Sequence, residues 1–441
     1  MDGTVILTKR KEWFEYMEYG LIGEKLGHSF SKIMHEKLAD YTYELCPLAK
    51  DQLDIFMQEK RFKAINVTIP YKQTVLPYCD ELDEAAKCIG VVNTIVNRNG
   101  KLWGYNTDLA GFLYNLKSHG IDLKDKKLMI CGSGGTCKTV MAAAQHMGAK
   151  EIVVVSRTKQ THTVTYEECL HHKDVNVIVN ASPKGMYPDT DGAPLNLTAF
   201  PVCTAVVDVI YNPLKTKLLQ QAEALGMKAV NGLGMLVAQA KFAVEHFLSV
   251  EFSDDKIGEI TLELLEQLTN IVLIGMPSCG KTLTGQALSR YIDKNCVDTD
   301  AVIEERTGMH IKEIFARHGE DYFRQLEYDV ITELSKQNGL IIATGGGAVK
   351  NEENIQHLKQ NGIVLFIDRE LEMLMATDDR PLSKDVDAMA KLYQERYPLY
   401  TKFGDLRISN HYPMEISQQE TKELVNTILE GYHEILYHQW A

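Results

Sequence analysis

A loop with the pattern GxxxxGKT follows the apolar, strand-like residues 271–274 and precedes a helix-forming segment. Gly275 and Gly280 allow backbone amides to surround phosphate groups, Lys281 reaches the β and γ phosphates, and Thr282 offers a hydroxyl to Mg²⁺. A strand, such a loop and a helix in this order are typical of proteins that bind ATP for phosphoryl transfer. The sequence therefore predicts an ATP and Mg²⁺ site in the second half of the chain.

Two acidic residues, Asp298 and Asp300, follow this loop at the end of another strand-like run. If both lie in the strand, their spacing of two residues places both carboxylates on the same side of the sheet. Carboxylates in such a place can assist a metal ion or orient a substrate hydroxyl. The alternative interpretation is two solvated acids at a strand end.

A second glycine-rich loop lies in the first half of the chain, directly after residues 127–131. Gly132, Gly134 and Gly135 precede a helix-forming segment, residues 140–146. Glycines in this position let backbone N–H groups approach a pyrophosphate at the helix N-terminus. The loop predicts a dinucleotide site, and the alternative is a tight turn without a ligand.

The next strand, residues 151–155, ends in Ser156, Arg157 and Thr158, where an enzyme that prefers NAD would carry an acid for the ribose hydroxyl. Basic and hydroxyl side chains suit a 2′-phosphate, which predicts NADP(H); a solvated basic turn is the alternative. Only residues 158–163 separate Arg157 from the next strand-like run, too few for the usual crossover helix.

Short β-branched runs alternate with helical stretches along the chain, which is the signature of βαβ units and parallel sheets in an α/β fold. A length of 441 residues predicts more than one domain. The favoured boundary lies between an amphipathic helix, residues 254–268, and the strand at 270–274. We therefore expect domains at 1–268 and 269–441.

Composition excludes several classes of protein. The net charge of -13 argues against a nucleic-acid partner, and no apolar run approaches the roughly 20 residues of a membrane-spanning helix. The nine cysteines include no CxxC pair, and the N-terminal residues do not resemble an export signal. These features predict a cytoplasmic protein with small-molecule substrates, and they leave monomer and dimer open.

Four motifs in the first half of the chain go beyond what a generic dinucleotide-binding fold explains. They are GEKLGHSFS at 23–31, NVTIPYK at 66–72, GVVNT at 90–94 and GYNTD at 104–108. In this order they resemble those of shikimate dehydrogenases, and the resemblance extends over roughly residues 18–268. It implies a substrate part at about 18–108 and 235–268, and a Rossmann part at about 109–234.

The resemblance also implies roles for single residues. Lys72 and Asp108 become a catalytic pair, because a ketone that accepts hydride needs a donor beside its oxygen, and a carboxylate can orient a lysine to provide it. Taken singly, Lys72 could be a surface lysine and Asp108 the N-cap of a helix at 109–116. Ser31 could cap a helix at 32–39. The residues implied to bind the substrate are Ser29, Ser31, Thr68, Asn93, Tyr211 and Gln239.

From residue 270 onward the chain resembles shikimate kinases, which implies a P-loop domain with a central parallel sheet. In that family the first of the two acids, Asp298, assists Mg²⁺, and the second, Asp300, contacts the hydroxyl that is phosphorylated. Arg380, in the motif DRPL, corresponds to a lid arginine that folds over the phosphates. The groups implied to hold the substrate carboxylate are Arg324, Gly346, Gly347 and Arg396.

Together the two resemblances imply that 3-dehydroshikimate is reduced with NADPH to shikimate, which is then phosphorylated with ATP. The alternatives are a non-catalytic sensor of quinate or shikimate built from the same modules, and enzymes with altered substrates such as quinate. Because each half has its own nucleotide loop and its own anion-binding groups, we expect the halves to work independently.

Overall fold

The computed structural model describes residues 14–27, 30–374, 386–412 and 417–440. The described residues form two compact units. The first lies within Met1–Ser182, Ala199–Val209 and Gly232–Ile260, and the second within Pro183–Thr198, Ile210–Asn231 and Thr261–Ala441. No helix in the described ranges is both long and apolar enough to cross a membrane.

The strands are β1 (Met17–Gly23), β2 (Tyr43–Pro47), β3 (Phe62–Val67), β4 (Glu81–Leu82), β5 (Thr94–Arg98), β6 (Lys101–Tyr105), β7 (Lys127–Cys131), β8 (Glu151–Val155), β9 (Val177–Asn180), β10 (Ala205–Asp208), β11 (Lys228–Val230), β12 (Asn270–Ile274), β13 (Asn295–Asp298), β14 (Leu340–Ala343), β15 (Gly362–Asp368) and β16 (Leu406–Ser409). The helices are α1 (Ser31–Leu38), α2 (Leu53–Glu59), α3 (Glu84–Ile89), α4 (Thr107–Ser118), α5 (Gly135–His146), α6 (Lys217–Ala224), α7 (Leu233–Leu248), α8 (Asp255–Leu268), α9 (Lys281–Leu288), α10 (Thr299–Thr307), α11 (Ile311–His318), α12 (Glu320–Leu334), α13 (Glu352–Asn361), α14 (Val386–Phe403) and α15 (Gln418–Trp440).

The first sheet is mixed, with the order β2-β1-β3-β5-β6-β4. Strands β2, β1 and β3 are parallel, and β5 and β6 form an antiparallel hairpin. Asn99 and Gly100 make the two-residue turn of this hairpin with φ values of 54° and 85°. Two positive φ values are what a type I′ turn requires, and Asn-Gly is the pair best suited to it. The turn fixes the register between β5 and β6. Strand β6 then ends at Tyr105, just before α4 begins at Thr107.

The second sheet has the order β11-β10-β9-β7-β8. Strands β8, β7, β9 and β10 are parallel to one another. All residues of β7, β9 and β10 are buried, as expected for strands covered on both faces. The carboxyl ends of these strands share one edge of the sheet, the edge at which open α/β sheets bind their ligands.

The third sheet has the order β13-β14-β12-β15-β16, and every neighbouring pair is parallel. The GxxxxGKT loop follows its central strand, β12, and leads into α9. The predicted α/β fold with largely parallel sheets is confirmed. The domain boundary at 268/269 stays a prediction, and residues of α8 from Thr261 onward group with the second unit.

Candidate active sites

In the first unit, three polar side chains converge where β3 and β6 end. Lys72 Nζ lies 2.6 Å from Asp108 Oδ2, with one quarter of the lysine side chain exposed. Asn93 Nδ2 donates to the other carboxylate oxygen, Asp108 Oδ1, at 2.9 Å. Asn93 is itself held by Thr107, whose backbone N–H donates to Asn93 Oδ1. The structure thus brings together the predicted pair and the predicted substrate asparagine.

The N-cap of α4 is Asn106, whose side chain accepts from Leu109 N at 3.1 Å. The alternative interpretation of Asp108 as the N-cap is therefore wrong, because α4 already begins at Thr107. Asp108 stands in the first turn of the helix, where the helix dipole favours a carboxylate. Its two oxygens are available to Lys72 and Asn93.

Helix α4 packs closely against α7, which carries Gln239. A Cβ atom on Gly111 would lie 2.8 Å from the carbonyl oxygen of Met235 and 3.0 Å from Gln239 N. Glycine is therefore required at position 111 for the two helices to approach. The Gln239 side chain is partly buried and donates to Leu236 O at 2.8 Å.

The structure describes Thr68 and Ser31, two further predicted substrate residues of this unit, but not Ser29. Thr68 follows β3, and its N–H donates to Ile22 O. Ser29 lies outside the described residues. Ser31 is the first residue of α1, and Phe30 occupies the N-cap position without a side-chain cap. The predicted cap at Ser31 of a helix over 32–39 is therefore wrong, because the helix begins one residue earlier.

The dinucleotide loop follows β7 and leads into α5. Gly132 has a φ of 107°, and a Cβ atom there would lie 2.9 Å from the carbonyl oxygen of Ala181. Gly134 and Gly135 are different: a Cβ atom on either would meet none of the described atoms within 4 Å. Packing within the described residues does not demand these two glycines, whereas close approach of a pyrophosphate to the N-terminus of α5 would.

The turn after β8 presents Ser156, Arg157 and Thr158. Ser156 is buried and its hydroxyl lies 3.2 Å from that of Ser133 in the glycine loop, while Arg157 and Thr158 are exposed. Val164 then pairs with Val155 in an isolated parallel bridge, and no helix lies between them. The expectation that residues 158–163 are too few for a crossover helix is confirmed.

Tyr211 lies in the second unit, directly after the chain leaves β10. Its side chain is partly buried, and burial raises the pKa of its hydroxyl. The neighbouring Asn212 accepts a hydrogen bond through its carbonyl from Tyr187 N at 3.0 Å.

The phosphate-type loop of the second unit has the backbone that its glycines predict. Gly275 and Gly280 have φ values of 149° and 98°, and a Cβ atom on Gly275 would lie 2.4 Å from the carbonyl oxygen of Ile367. Lys281 is 8% exposed, and its ammonium donates to the carbonyls of Gly275 and Met276, at 2.9 Å each. The lysine is thus held against the loop that would carry the phosphates.

Thr282 and Asp298 come together beside this loop. The Thr282 hydroxyl donates to Asp298 Oδ2 at 2.5 Å. The other oxygen, Asp298 Oδ1, accepts from Asp300 N at 2.9 Å and so caps α10. The predicted strand through Asp300 is therefore wrong, because this cap ends β13 and places Asp300 in the first turn of a helix.

A hydroxyl and a carboxylate oxygen are ligands that Mg²⁺ accepts. Among the described residues no group of three or more His, Cys, Asp or Glu side chains could hold a metal by itself. In sites that bind nucleotides, Mg²⁺ usually takes its other ligands from phosphates and water.

Although the strand prediction fails, Asp300 still faces the triglycine segment that follows β14. A Cβ atom on Gly345 would lie 2.6 Å from Asp300 Oδ1 and 2.8 Å from Glu327 Oε1. One on Gly347 would lie 2.3 Å from Arg324 Nη1, and one on Gly346 would lie 2.9 Å from Pro277 Cδ in the phosphate loop. The glycines let the two carboxylates, the guanidinium and the phosphate loop meet at one place.

Arg324 is fixed by two carboxylates on its own helix, α12. Its Nη1 donates to Glu327 Oε2 at 2.7 Å, and its Nε and Nη2 donate to Glu320 Oε1 at 3.2 and 3.0 Å. Burial raises the pKa of Glu327 even though Arg324 opposes that shift. Glu327 thus lies in a water-poor pocket with a cation.

Arg396, on α14, is 2% exposed. Its Nε and Nη2 are buried and find no hydrogen-bond partner among the described residues, and the same is true of Glu327 Oε1. A buried guanidinium with unused donors is costly unless a ligand satisfies it, and a planar carboxylate matches its fork. Arg396 is therefore suited to hold an anion.

Arg380 lies outside the described residues. Sequence reasoning missed Glu320 and Tyr400, whose hydroxyl donates to Gly346 O. Both stand four residues from a predicted arginine on the same helix, and this spacing brings side chains together. That signal could have found them.

Two family models match the chain, the shikimate dehydrogenase substrate binding domain over residues 21–95 and shikimate kinase over residues 277–431. The shikimate dehydrogenase (NADP(+)) of Alkaliphilus oremlandii is 37% identical over 267 residues, which cover 54% of this chain and 93% of that protein. A solved chorismate mutase/shikimate 5-dehydrogenase fusion protein from Clostridium acetobutylicum has 35% identity and a TM-score of 0.54, covering 57% of this chain and 98% of that one.

Shikimate 5-dehydrogenase from Thermus thermophilus, solved in complex with NADP(H) and shikimate, has 30% identity and a TM-score of 0.51 over 56% of this chain and 99% of that one. These findings confirm the resemblance of each half. The chain belongs to the shikimate dehydrogenase family and carries a shikimate kinase domain behind the dehydrogenase.

Proposed function

We propose that the chain reduces 3-dehydroshikimate to shikimate with NADPH and then phosphorylates shikimate to shikimate 3-phosphate with ATP and Mg²⁺. The observation that carries the proposal is the pairing of Lys72 with Asp108 in one unit and, in the other, the P-loop together with the buried Arg396, two of whose nitrogens lack a partner among the described residues. Each pairing provides the chemistry that its half requires. The nine free thiols fit a reducing, cytoplasmic environment.

In the reduction, the bound nicotinamide cofactor supplies the hydride. The Lys72 ammonium is proposed to donate a hydrogen bond to the substrate carbonyl and then to give its proton to the oxygen as negative charge develops. Asp108 orients this ammonium, and Asn93 holds the carboxylate in place. Thr68, Gln239, Tyr211 and the serines of the 23–31 segment are proposed to bind the substrate's hydroxyls and carboxylate.

In the phosphorylation, Lys281 would exchange its carbonyl partners for the transferred phosphate, where its charge stabilises the transition state. Asp300 is proposed to orient the attacking hydroxyl and accept its proton. Thr282 and Asp298 would hold Mg²⁺, which neutralises phosphate charge. Arg324, Arg396 and the amides of Gly346 and Gly347 are proposed to bind the carboxylate, and Arg380 to cover the phosphates.

A coupled assay tests the proposal. Full-length protein receives 3-dehydroshikimate, NADPH, ATP and Mg²⁺, and NADPH oxidation and ADP release are followed together. We expect both signals, with Lys72→Ala removing NADPH oxidation and Lys281→Ala removing only ADP release. ADP release on shikimate without any NADPH oxidation would contradict the reductase function. NADPH oxidation without ADP release would contradict the kinase function.

If the protein oxidised quinate in preference to shikimate in the reverse, NADP⁺-reducing direction, its dehydrogenase substrate would be quinate. Binding of shikimate without turnover in either half would favour a sensor.

A further inference from the structure

Helix α13 of the kinase domain is buried on a polar as well as an apolar face. Six of its ten residues are buried, namely Asn354, Ile355, His357, Leu358, Gln360 and Asn361. A helix on the outside of an α/β domain normally turns its polar residues to water. Here Gln360 and His357 are 0% and 1% exposed. Something other than the apolar core of the kinase sheet must cover the polar face.

Within the second unit, two segments of the dehydrogenase part cover it. Leu214 N donates to Asn361 Oδ1 at 2.9 Å, and Lys215 N donates to Gln360 O at 2.8 Å. The Gln360 amide donates in turn to Thr190 O at 3.3 Å. The buried main chain of the dehydrogenase segments thus finds its partners on the kinase helix.

Two further contacts extend this seam. From α6, the Gln220 amide donates to Gln356 O at 2.9 Å. His357 Nε2 lies 3.7 Å from Asp191 Oδ1, and the same carboxylate pairs with Lys217 at 3.2 Å. The contacts come from both sides of the seam and involve side chains as well as backbone.

The position of these segments in the chain gives the seam a functional meaning. Residues 183–198 follow β9, and residues 210–216 follow β10. Strand β9 lies between β10 and β7, the strand that leads into the Gly132 loop, and all three are parallel. The loops that α13 holds therefore start at the edge of the sheet where a parallel α/β sheet binds its dinucleotide.

We propose that α13 is a brace that orders the loops after β9 and β10, so that the kinase domain sets the affinity of the dehydrogenase for NADPH. Loops ordered in advance lose less conformational freedom when a ligand binds, and this raises affinity. The proposal rests on the reductase function proposed above. It departs from the expectation, drawn from sequence alone, that the halves are independent.

The test uses full-length protein with Gln360→Ala and Gln220→Ala, one change on each side of the seam. Gln419→Ala is the matched control, because Gln419 is an exposed glutamine on α15. Each seam variant loses one hydrogen bond of the seam, worth about 1 kcal/mol, and we therefore expect its KM for NADPH to rise about fivefold. Hydrogen–deuterium exchange should quicken in residues 183–198 and 210–216, and the kcat for shikimate phosphorylation should stay unchanged.

Two results would overturn the brace. One is that the Gln360→Ala and Gln220→Ala variants show the same hydrogen–deuterium exchange and the same KM for NADPH as the Gln419→Ala control. The other is an equal loss of both activities, which would mean that α13 acts only through general stability. Faster loop exchange in a protein that oxidises no NADPH, wild type included, would support the brace and refute the reductase function, so the two failures are distinguishable.

Discussion

The proposed reductase mechanism depends on the Lys72 side chain, which Asp108 holds in place. Replacing Lys72 with alanine removes the donor that acts on charge developing in the transition state. We expect turnover of 3-dehydroshikimate to fall by at least about 100-fold, while its KM changes much less. The measurement is steady-state NADPH oxidation. Lys101→Ala, an exposed lysine on β6, is the control, and unchanged turnover in the Lys72 variant would remove this residue from the mechanism.

Replacing Arg396 is expected to lower kinase activity without lowering the thermal stability of the protein. Because two of its buried nitrogens lack partners among the described residues, Arg396→Met should leave the melting temperature of the ligand-free protein unchanged or higher. The kcat/KM for shikimate phosphorylation should fall by at least about 100-fold. Arg306→Met, at an exposed arginine paired with Glu333, should change neither quantity. A lower melting temperature with normal kinetics would make Arg396 a structural residue.

Arg157 is the one basic side chain of the turn after β8 that the cofactor prediction uses, and it is exposed. Arg157→Ala should raise the KM for NADPH far more than that for NADH, because only NADPH carries the 2′-phosphate. Parallel titrations of the two cofactors check this. A similar rise for both would mean that the residue does not read the phosphate.

Among the elements, α8 depends on a lysine that lies outside it. Lys294 is 8% exposed and its ammonium donates to the carbonyls of Glu266 and Thr269, at 2.5 and 2.9 Å, at the end of the helix. Lys294→Met leaves these carbonyls without that donor, which should destabilise the protein by about 2 kcal/mol. Thermal unfolding checks the prediction, with Lys312→Met on the exposed side of α11 as control.

The same lysine gives a pH dependence with a defined sign. Burial lowers the pKa of Lys294 from 10.5 to about 8. Between these values the unfolded chain keeps a proton that the folded chain has released, so the stability that Lys294 contributes rises with pH. The difference in melting temperature between wild type and Lys294→Met should therefore be larger at pH 10 than at pH 7.5. A smaller difference at pH 10 would reverse the sign.

Local pattern predicted some elements well and others poorly, for physical reasons. The GxxxxGKT loop was predictable because the pattern itself contains the glycines whose positive φ values the loop requires. The end of β13 was not, because Asp298 has β-strand neighbours and becomes a cap only when its carboxylate reaches two amides of α10. Residue type alone could not decide whether Asn106 or, in the alternative interpretation, Asp108 caps α4. The pairing of Asp108 with Lys72 joins residues 36 positions apart, and only the family resemblance indicated it.

At the scale of the whole molecule, the predicted domain boundary at 268/269 meets a difficulty. Leu264, Leu265 and Leu268 are buried and belong to the second unit, together with the Glu266 carbonyl that Lys294 contacts. A kinase piece that starts at Thr261 should melt roughly 10–20 °C above one that starts at Thr269, because losing buried leucines costs about 2–5 kcal/mol each. Calorimetry of the two pieces decides. Equal melting temperatures would place the boundary at 268/269, as the sequence predicted.

The doubly covered helix α13 also limits how this protein can be engineered or recombined. A gene fusion that replaced the kinase with a free-standing relative would bring in a helix whose outer residues suit water. Such residues, typically long and charged, would have to enter a space that now holds Gln360 and His357, both almost fully buried. Their charges would be stripped of solvent, and the backbone groups of Leu214 and Thr190 would lose the side-chain partners that Asn361 and Gln360 now provide. The exchangeable module is therefore larger than the kinase sequence, and a working chimera would have to carry the α13 positions along with the loops that they meet.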